Sequence, residues 1–339
     1  MGLHLIRPKL KNQGLIHMTA FYSRFIAILL LITGLLASNP SSADEHSDED
    51  NSKKAILVTG ATSGLGLKMT ETLSKAGYTV YAGARKDADM KRLEAMENVE
   101  AIRIDVTIQS QIDAAVKTIE SKGRGLYGLI NNAGVAVFGP IAEVDVSELE
   151  YQMNVNVYGP YRVTQAFLPL LKESKGRIAT TGSIAGIRAS RFFSHYAMSK
   201  HSVEAFTESL SVELEQYGIT VGVIEPGNYA SQIGNTARKR ILEKDYWAES
   251  SDYSDGRKGV LTSLAQVDQG NDPQDVADAA LHFMSNDEPK FRYMVTADHK
   301  QSHAIVRAMI QKTIQLNQGH DYTLDKAALI KILEEELAK

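Results

Sequence analysis

Ala55-Ile56-Leu57-Val58-Thr59-Gly60-Ala61-Thr62-Ser63-Gly64-Leu65-Gly66 is the stretch on which the fold turns. Ala55 to Val58 is an unbroken apolar run, the pattern of a short strand buried on both faces of a parallel sheet. Gly60 and Gly64 permit tight backbone conformations that a Cβ would obstruct. Gly66 lets the following helix approach the strand closely. Leu65, Met69, Leu73 and Ala76 then recur at helical spacing, and Gly77 supplies a stop. A strand, a glycine turn and a helix in this order expose backbone N–H groups that attract a pyrophosphate. Thr59, Gly60, Ser63, Gly64, Leu65 and Gly66 are therefore the first cofactor-binding candidates. An ordinary strand–helix turn is the plainer alternative.

Working outward, further strands are predicted at Tyr78–Ala82, Ala101–Ile104, Gly128–Ile130, Arg177–Thr181, Ile219–Ile224 and Phe291–Val295. Helical patterns separate most of them. This alternation predicts an α/β chain with a Rossmann-type, doubly wound parallel sheet of about seven strands, helices on both faces, in a single domain. Two stretches break the rhythm. Ser231 to Gly270 reads as long, polar and irregular. Thr323 to Lys339 reads as an amphipathic helix (Leu324, Ala328, Leu329, Ile332, Leu333, Leu337) that packs on the body or on a partner subunit.

The 339 residues are 43% hydrophobic and 23% charged, which excludes a disordered chain and a multi-span membrane protein. The net charge is −4, and every acidic residue lies after Ala43, so the body has no electrostatic footprint for nucleic acid. With no cysteine there is no disulfide, thiol nucleophile or cysteine zinc site. Phe25 to Ala37 is an apolar run preceded by Arg24 and followed by small residues at Ser41 and Ala43. It is shorter than the roughly 20 residues that span a bilayer. Residues 1–43 accordingly read as a signal-like or anchor segment and 44–53 as an acidic linker. The body covers 54–300, and 301–339 form a helical extension. Membrane association through residues 25–37, or export, is one expectation. A cytoplasmic protein whose true start lies downstream (Met18 is one such start) is the other, since export removes an enzyme from the cytoplasmic nicotinamide pool.

The end of the second strand discriminates between dinucleotides. An acidic residue there would bind the adenosine ribose hydroxyl. The sequence instead has Gly83-Ala84-Arg85-Lys86, with no acid until Asp87. A guanidinium at Arg85 matches a 2′-phosphate, so NADP is expected, with NAD the alternative. Tyr196 and Lys200 lie four apart, on one face of a helix. A phenol titrates near ~10, and an adjacent ammonium lowers that value by favouring the phenolate. The pair makes a general acid/base. Such spacing also arises by chance, and its neighbours make it specific. Ser183 ends the fifth strand, on the same sheet edge as the glycine turn, where Asn131-Asn132-Ala133-Gly134 and Pro226-Gly227 also lie.

Together these ordered motifs resemble the short-chain dehydrogenase/reductase family over about residues 54–300. Residues Gly125 to Gly134, Val203-Glu204-Ala205-Phe206, Ile224-Glu225-Pro226-Gly227 and Arg292-Tyr293 are similar to its retinol and hydroxysteroid dehydrogenase branch. The resemblance implies that Tyr196 exchanges a proton with the substrate oxygen. It implies that Lys200 holds the nicotinamide ribose and that Ser183 orients the oxygen. Asn156, in Asn156-Val157-Tyr158-Gly159, matches the family's fourth catalytic residue, which anchors a water. Asp105 and Val106 match the adenine pocket. Asn132, Ala133 and Gly134 match the ribose wall. Pro226, Gly227 and Ser231 match the clasp on the nicotinamide amide, with Ser where the family more often has Thr.

The implied protein is an NAD(P)-dependent alcohol dehydrogenase or carbonyl reductase. Its small-molecule carbonyl/alcohol substrate is expected to be apolar (a steroid, retinoid or other lipid-like compound), and the assembly a homo-oligomer. A non-catalytic dinucleotide-binding sensor or scaffold is the alternative, although it has no need of Ser183, Tyr196 and Lys200 together. His299 and His303 lack the Glu and the third ligand of a metal-binding helix and read as surface histidines. Tyr246, Trp247, Ala136, Val137 and Phe138 line a substrate pocket or serve only as packing.

Overall fold

Seven parallel strands make one sheet: β1 (Ala55–Val58), β2 (Thr79–Ala84), β3 (Val99–Arg103), β4 (Gly128–Asn131), β5 (Arg177–Thr181), β6 (Thr220–Pro226) and β7 (Arg292–Val295), in the order β3-β2-β1-β4-β5-β6-β7. The computed structural model describes residues 51–267 and 270–339. The expectations placed on residues 1–43 and most of the 44–53 linker lie outside the described residues.

Both faces of the sheet are covered, and the strand period of two sorts each side chain to one face. Ile56 and Val58 of β1 enter one core, with Met69 and Leu73 of α1 (Gly64–Lys75) and, from the helix Gln274–Ser285, Val276 and Phe283. Ala55 and Leu57 enter the opposite core. There they join Ile112 and Ile119 of the helix Gln109–Ser121, Val163 and Phe167 of the helix Tyr158–Ser174, and Leu210 and Leu214 of the helix Ser194–Glu215. In chain order the helices are α1, α2 (Asp87–Glu94), α3 (Gln109–Ser121), α4 (Val146–Asn156), α5 (Tyr158–Ser174), α6 (Ser194–Glu215), α7 (Ile233–Lys244), α8 (Ser254–Gln266), α9 (Gln274–Ser285), α10 (His299–Leu316) and α11 (Lys326–Leu337). The strand order reverses between β1 and β4, which opens a crevice beyond their carboxyl ends.

Several expectations need correction. β2 begins after Tyr78 and runs on to Ala84, and β3 begins two residues earlier than expected, because the two pair from Val80↔Val99 to Ala84↔Arg103. β6 continues through Glu225 and Pro226, which pair with Met294 and Val295. The stretch from Ser231 to Gly270 is not irregular: it carries α7 and α8. Each buries a sparse stripe at helical spacing, Ala237 and Ile241 on one, Val260 and Leu264 on the other, with charged residues between. The C-terminal helix α11 forms but buries none of its residues on the body, and Leu337 is 78% exposed. Among the described residues no helix is long and apolar enough to cross a membrane.

Candidate active site

The glycine turn is locked to the turn after β4. The Thr59 hydroxyl accepts from the amides of Asn132 and Ala133 at 2.9 and 3.0 Å. The Asn132 side-chain amide donates back to the Thr59 carbonyl at 3.0 Å. Gly60 has φ +66°, and a Cβ there would stand 2.9 Å from the Cα of Ala133. A Cβ on Gly66 would collide with the Gly60 carbonyl and the Asn132 amide. Ser63 caps α1 in extended backbone without a side-chain hydrogen bond, so its hydroxyl satisfies none of the first-turn N–H groups. An uncapped helix start beneath a glycine cradle fits a pyrophosphate. Ser231 closes the other side, 3.0 Å from where a Gly64 Cβ would be. A cavity of about 420 Å³ opens there between Ser63, Gly64, Ser231 and Gln232.

Where β2 and β3 end, Asp105 accepts from the Thr107 hydroxyl at 2.6 Å and amide at 2.9 Å, and pairs with Arg85 at 3.6 Å. Burial alone would raise the Asp105 carboxyl, but the Thr107 hydrogen bonds and the Arg85 charge reverse this and hold it below its ordinary range. Val106 is buried against Gly159. Arg103 was missed in the sequence. The β2–β3 register sets it opposite Ala84, where its guanidinium donates to the Arg85 carbonyl at 2.7 Å and pairs with Asp87. Arg85 and Arg103 thus meet here, paired with Asp105 and Asp87 respectively.

At the reacting end, Ser183 follows β5 in extended backbone and accepts from the Ala185 amide at 3.1 Å. Its hydroxyl bears on the Tyr196 phenol near the start of α6, favouring the charged form. Lys200, one turn further on, is buried and donates to the Thr181 carbonyl at 2.7 Å. Its ammonium stands 5.7 Å from the centre of the Tyr196 ring. Burial dominates both titrations. It pushes the phenol up, with the Ser183 hydrogen bond opposing, and it pulls Lys200 down to about 8, with Glu204 opposing. The expected lowering of the phenol by the ammonium is therefore not what this geometry gives, because the Lys200 charge is turned onto Thr181 and desolvation prevails.

Asn156 ends α4 with its side chain tied to Val135: it accepts from the Val135 amide at 2.9 Å and donates to the Val135 carbonyl at 3.0 Å. It also donates to the Ser199 hydroxyl at 3.1 Å, which in turn donates to the Tyr196 carbonyl at 2.8 Å. Pro160, four residues on, has no N–H to offer the Asn156 carbonyl. Gln152, one turn earlier, clamps the same segment through the Val137 amide at 2.6 Å and the Val135 carbonyl at 2.8 Å. Sequence reasoning missed Gln152 and Ser199. Their only prior signal was helical spacing from Asn156 and Lys200.

An apolar cluster covers the reacting end. Phe138 lies 5.7 Å from the Tyr196 ring and 4.4 Å from Phe193, centre to centre. Ala136, Ala237, Ile241, Val260 and Leu264 join them. Trp247 is fully buried against Phe192, and Tyr246 packs beside it over Gly139. Arg240 of α7 pairs with buried Glu148 of α4, one contact at 2.9 Å, and so ties this cover to the body. On the other side of the crevice, Pro226 and Gly227 leave β6, and Gln301 of α10 accepts from the Asn228 amide at 3.3 Å. His299 and His303 stack on α10. Among the described residues no group of three or more His, Asp or Glu could hold a metal ion.

Residues 54–241 match the short chain dehydrogenase family. The chain is 31% identical over 264 residues to mitochondrial D-beta-hydroxybutyrate dehydrogenase of Mus musculus, covering 71% of this chain and 76% of that one. It is 31% identical to retinol dehydrogenase 7 of Rattus norvegicus, covering 73% and 82%. A variant of the actinorhodin polyketide ketoreductase solved with NADPH superposes with a TM-score of 0.59 at 26% identity, over 72% of this chain and 95% of that one. The chain belongs to the short-chain dehydrogenase/reductase family. It is an oxidoreductase, an NAD(P)-dependent alcohol dehydrogenase or carbonyl reductase on a small-molecule substrate.

Proposed function

We propose that the chain moves a hydride between NADP(H) and an apolar carbonyl or alcohol. The observation that carries this is the buried Lys200, one turn from Tyr196 and bonded to the Thr181 carbonyl two residues before Ser183, with Phe138 and Phe193 packed beside the Tyr196 ring. The nicotinamide supplies or accepts the hydride when bound. In reduction, Ser183 orients the carbonyl oxygen and Tyr196 delivers the proton to it. In oxidation, the Tyr196 phenol must first give up its own proton, and the phenolate then takes the proton from the alcohol. Lys200 holds the nicotinamide ribose. Asn156 holds the post-β4 segment and, through Ser199, the backbone of Tyr196. Thr59 to Gly66 cradle the pyrophosphate, Asp105 and Val106 the adenine, and Ala133 and Gly134 the ribose. Pro226, Gly227 and Ser231 clasp the amide. The guanidiniums of Arg85 and Arg103 at the β2 and β3 ends favour the 2′-phosphate of NADP over NAD.

A substrate panel read by nicotinamide absorbance with both cofactors tests this reading. Retinoids and steroids with NADP(H) are expected to turn over with higher kcat/KM than D-β-hydroxybutyrate with NAD. The reverse order would remove both the apolar substrate and the NADP preference. Tight cofactor binding without turnover on any member would favour a non-catalytic sensor. The proposal also includes 54–300 as the catalytic body, a homo-oligomer, and a signal-like or anchoring role for residues 1–43. Light scattering and N-terminal sequencing of the native, fractionated protein test the last two.

A further inference from the structure

Behind the reacting end lies a cluster of charges that hydride transfer does not require. Arg292 of β7 reaches three carboxylates: Glu204 and Glu208 of α6, and Glu225 of β6 at 2.9 Å. Glu225 is 1% exposed, and Glu204 is also buried. Two carboxylates buried with one guanidinium are expensive to keep unless their position is used. Glu204 lies one helical turn beyond Lys200 and is the charge that opposes desolvation of its ammonium.

Glu204 also reaches the loop that carries Ser183. A Cβ on Gly182 or on Gly186 would stand 2.8 Å from its Oε1, so the carboxylate fills a slot that two glycines keep open on either side of Ser183. That Oε1 is buried with no hydrogen-bond partner. It is the oxygen turned away from Arg292, which is held by Oε2. Thr181, whose carbonyl receives the Lys200 ammonium, is the residue just before Gly182. One carboxylate therefore sits between the two supports of the reacting end, the lysine and the serine loop.

We propose that Glu204, clamped by Arg292 beside Glu225, is a positioning residue: its buried carboxylate is the counter-charge of Lys200 and the wedge that seats the Thr181–Ser183 segment. This rests on the reading above in which Lys200 holds the nicotinamide ribose as a cation. The charged groups bearing on Glu204 are Lys200 and Glu208 on its own helix, Glu225 on β6 and Arg292 on β7. Burial, and then Glu204, push the Glu225 carboxyl up to about 7 against the pull of Arg292.

The test is the pH dependence of NADPH affinity, read by nicotinamide fluorescence on the full chain. Wild type is expected to lose affinity above about pH 8, as Lys200 sheds its proton. Lys200→Met should lack that limb. Glu204→Gln should move it down by about one pH unit, as expected from removing one neighbouring charge. Glu204→Asp, which keeps the charge, should return it toward the wild-type position even if the shorter side chain loosens the serine loop. Thermal melting of each variant establishes that it is folded. Should Glu204→Gln fail to fold, Glu204→Asp and Glu208→Gln decide instead: the limb stays with the first and moves less than half a unit with the second, by the screening of an exposed pair. A Lys200-dependent limb that ignores Glu204 overturns this inference and leaves the Tyr196–Lys200 reading intact. A limb that survives Lys200→Met overturns both.

Discussion

Lys200 donates to the Thr181 carbonyl at 2.7 Å, and this one bond joins α6 to the end of β5. The ammonium is thereby turned toward the strand end, 5.7 Å from the centre of the Tyr196 ring. Burial leaves both groups less willing to carry charge than they would be in water. The chain holds a reserve of acid and base that is not ionised as a pair beforehand.

A stability effect with a definite sign comes from Lys200. Its folded value, about 8, is depressed below the value of about 10.5 that it has in the open chain. Below pH 8 the lysine is charged in both states, and burying that charge costs stability. As pH rises from 8 toward 10.5 the folded state releases its proton first, and the cost fades. Relative to wild type, Lys200→Met should therefore be most favoured in stability at pH 7 and lose that advantage as pH rises, with turnover lost throughout. The gap should narrow as pH rises to 10. Differential scanning calorimetry across this range checks it, and a gap that widens with pH contradicts it.

Arg85→Ala should weaken NADPH binding about tenfold or more, the scale of one lost charge-assisted hydrogen bond. NADH should bind within about threefold of wild type, since it carries no 2′-phosphate. Arg103→Ala should act in the same direction, less strongly, because Arg103 also holds the Arg85 carbonyl. Fluorescence titration with both reduced cofactors separates these effects.

Gly66→Ala places a methyl group against the Gly60 carbonyl and the Asn132 amide, both parts of the locked turn. Overpacking of this kind costs about 1–3 kcal/mol. The variant should melt lower and lose affinity for NADPH and NADH alike. A loss confined to one cofactor would mean that the turn does not carry the shared pyrophosphate.

Phe138→Ala opens the apolar wall beside Tyr196. KM for an apolar carbonyl should rise about tenfold, with NADPH affinity unchanged, the pattern of lost uniform binding. An unchanged KM would remove Phe138 from the substrate pocket.

The parallel sheet and its ligand edge were legible in the sequence because buried strands are written as unbroken apolar runs and the turns after them in glycine and asparagine. Ala55–Val58, Gly60 and Asn131-Asn132 show both. Less legible was whatever depends on register or on distant partners. Arg103 reaches the Arg85 carbonyl only because β3 begins at Val99 and pairs with β2. α7 and α8 were hidden because each buries only a few residues, and those pack on Phe138 and Phe193 far away in the chain. The direction of the Tyr196 shift was misjudged because spacing on a helix reveals proximity to Lys200 but not burial. The Gln152 and Ser199 bonds around Asn156 have no local signature.

Tyr196→Phe bears most directly on the chemistry, since it deletes one oxygen and leaves the ring against Phe138. Turnover with NADPH should fall by at least about 10²–10³-fold, the range of a lost general acid/base, while NADPH affinity stays within about threefold of wild type. Turnover within tenfold of wild type would show that the proton passes through another group.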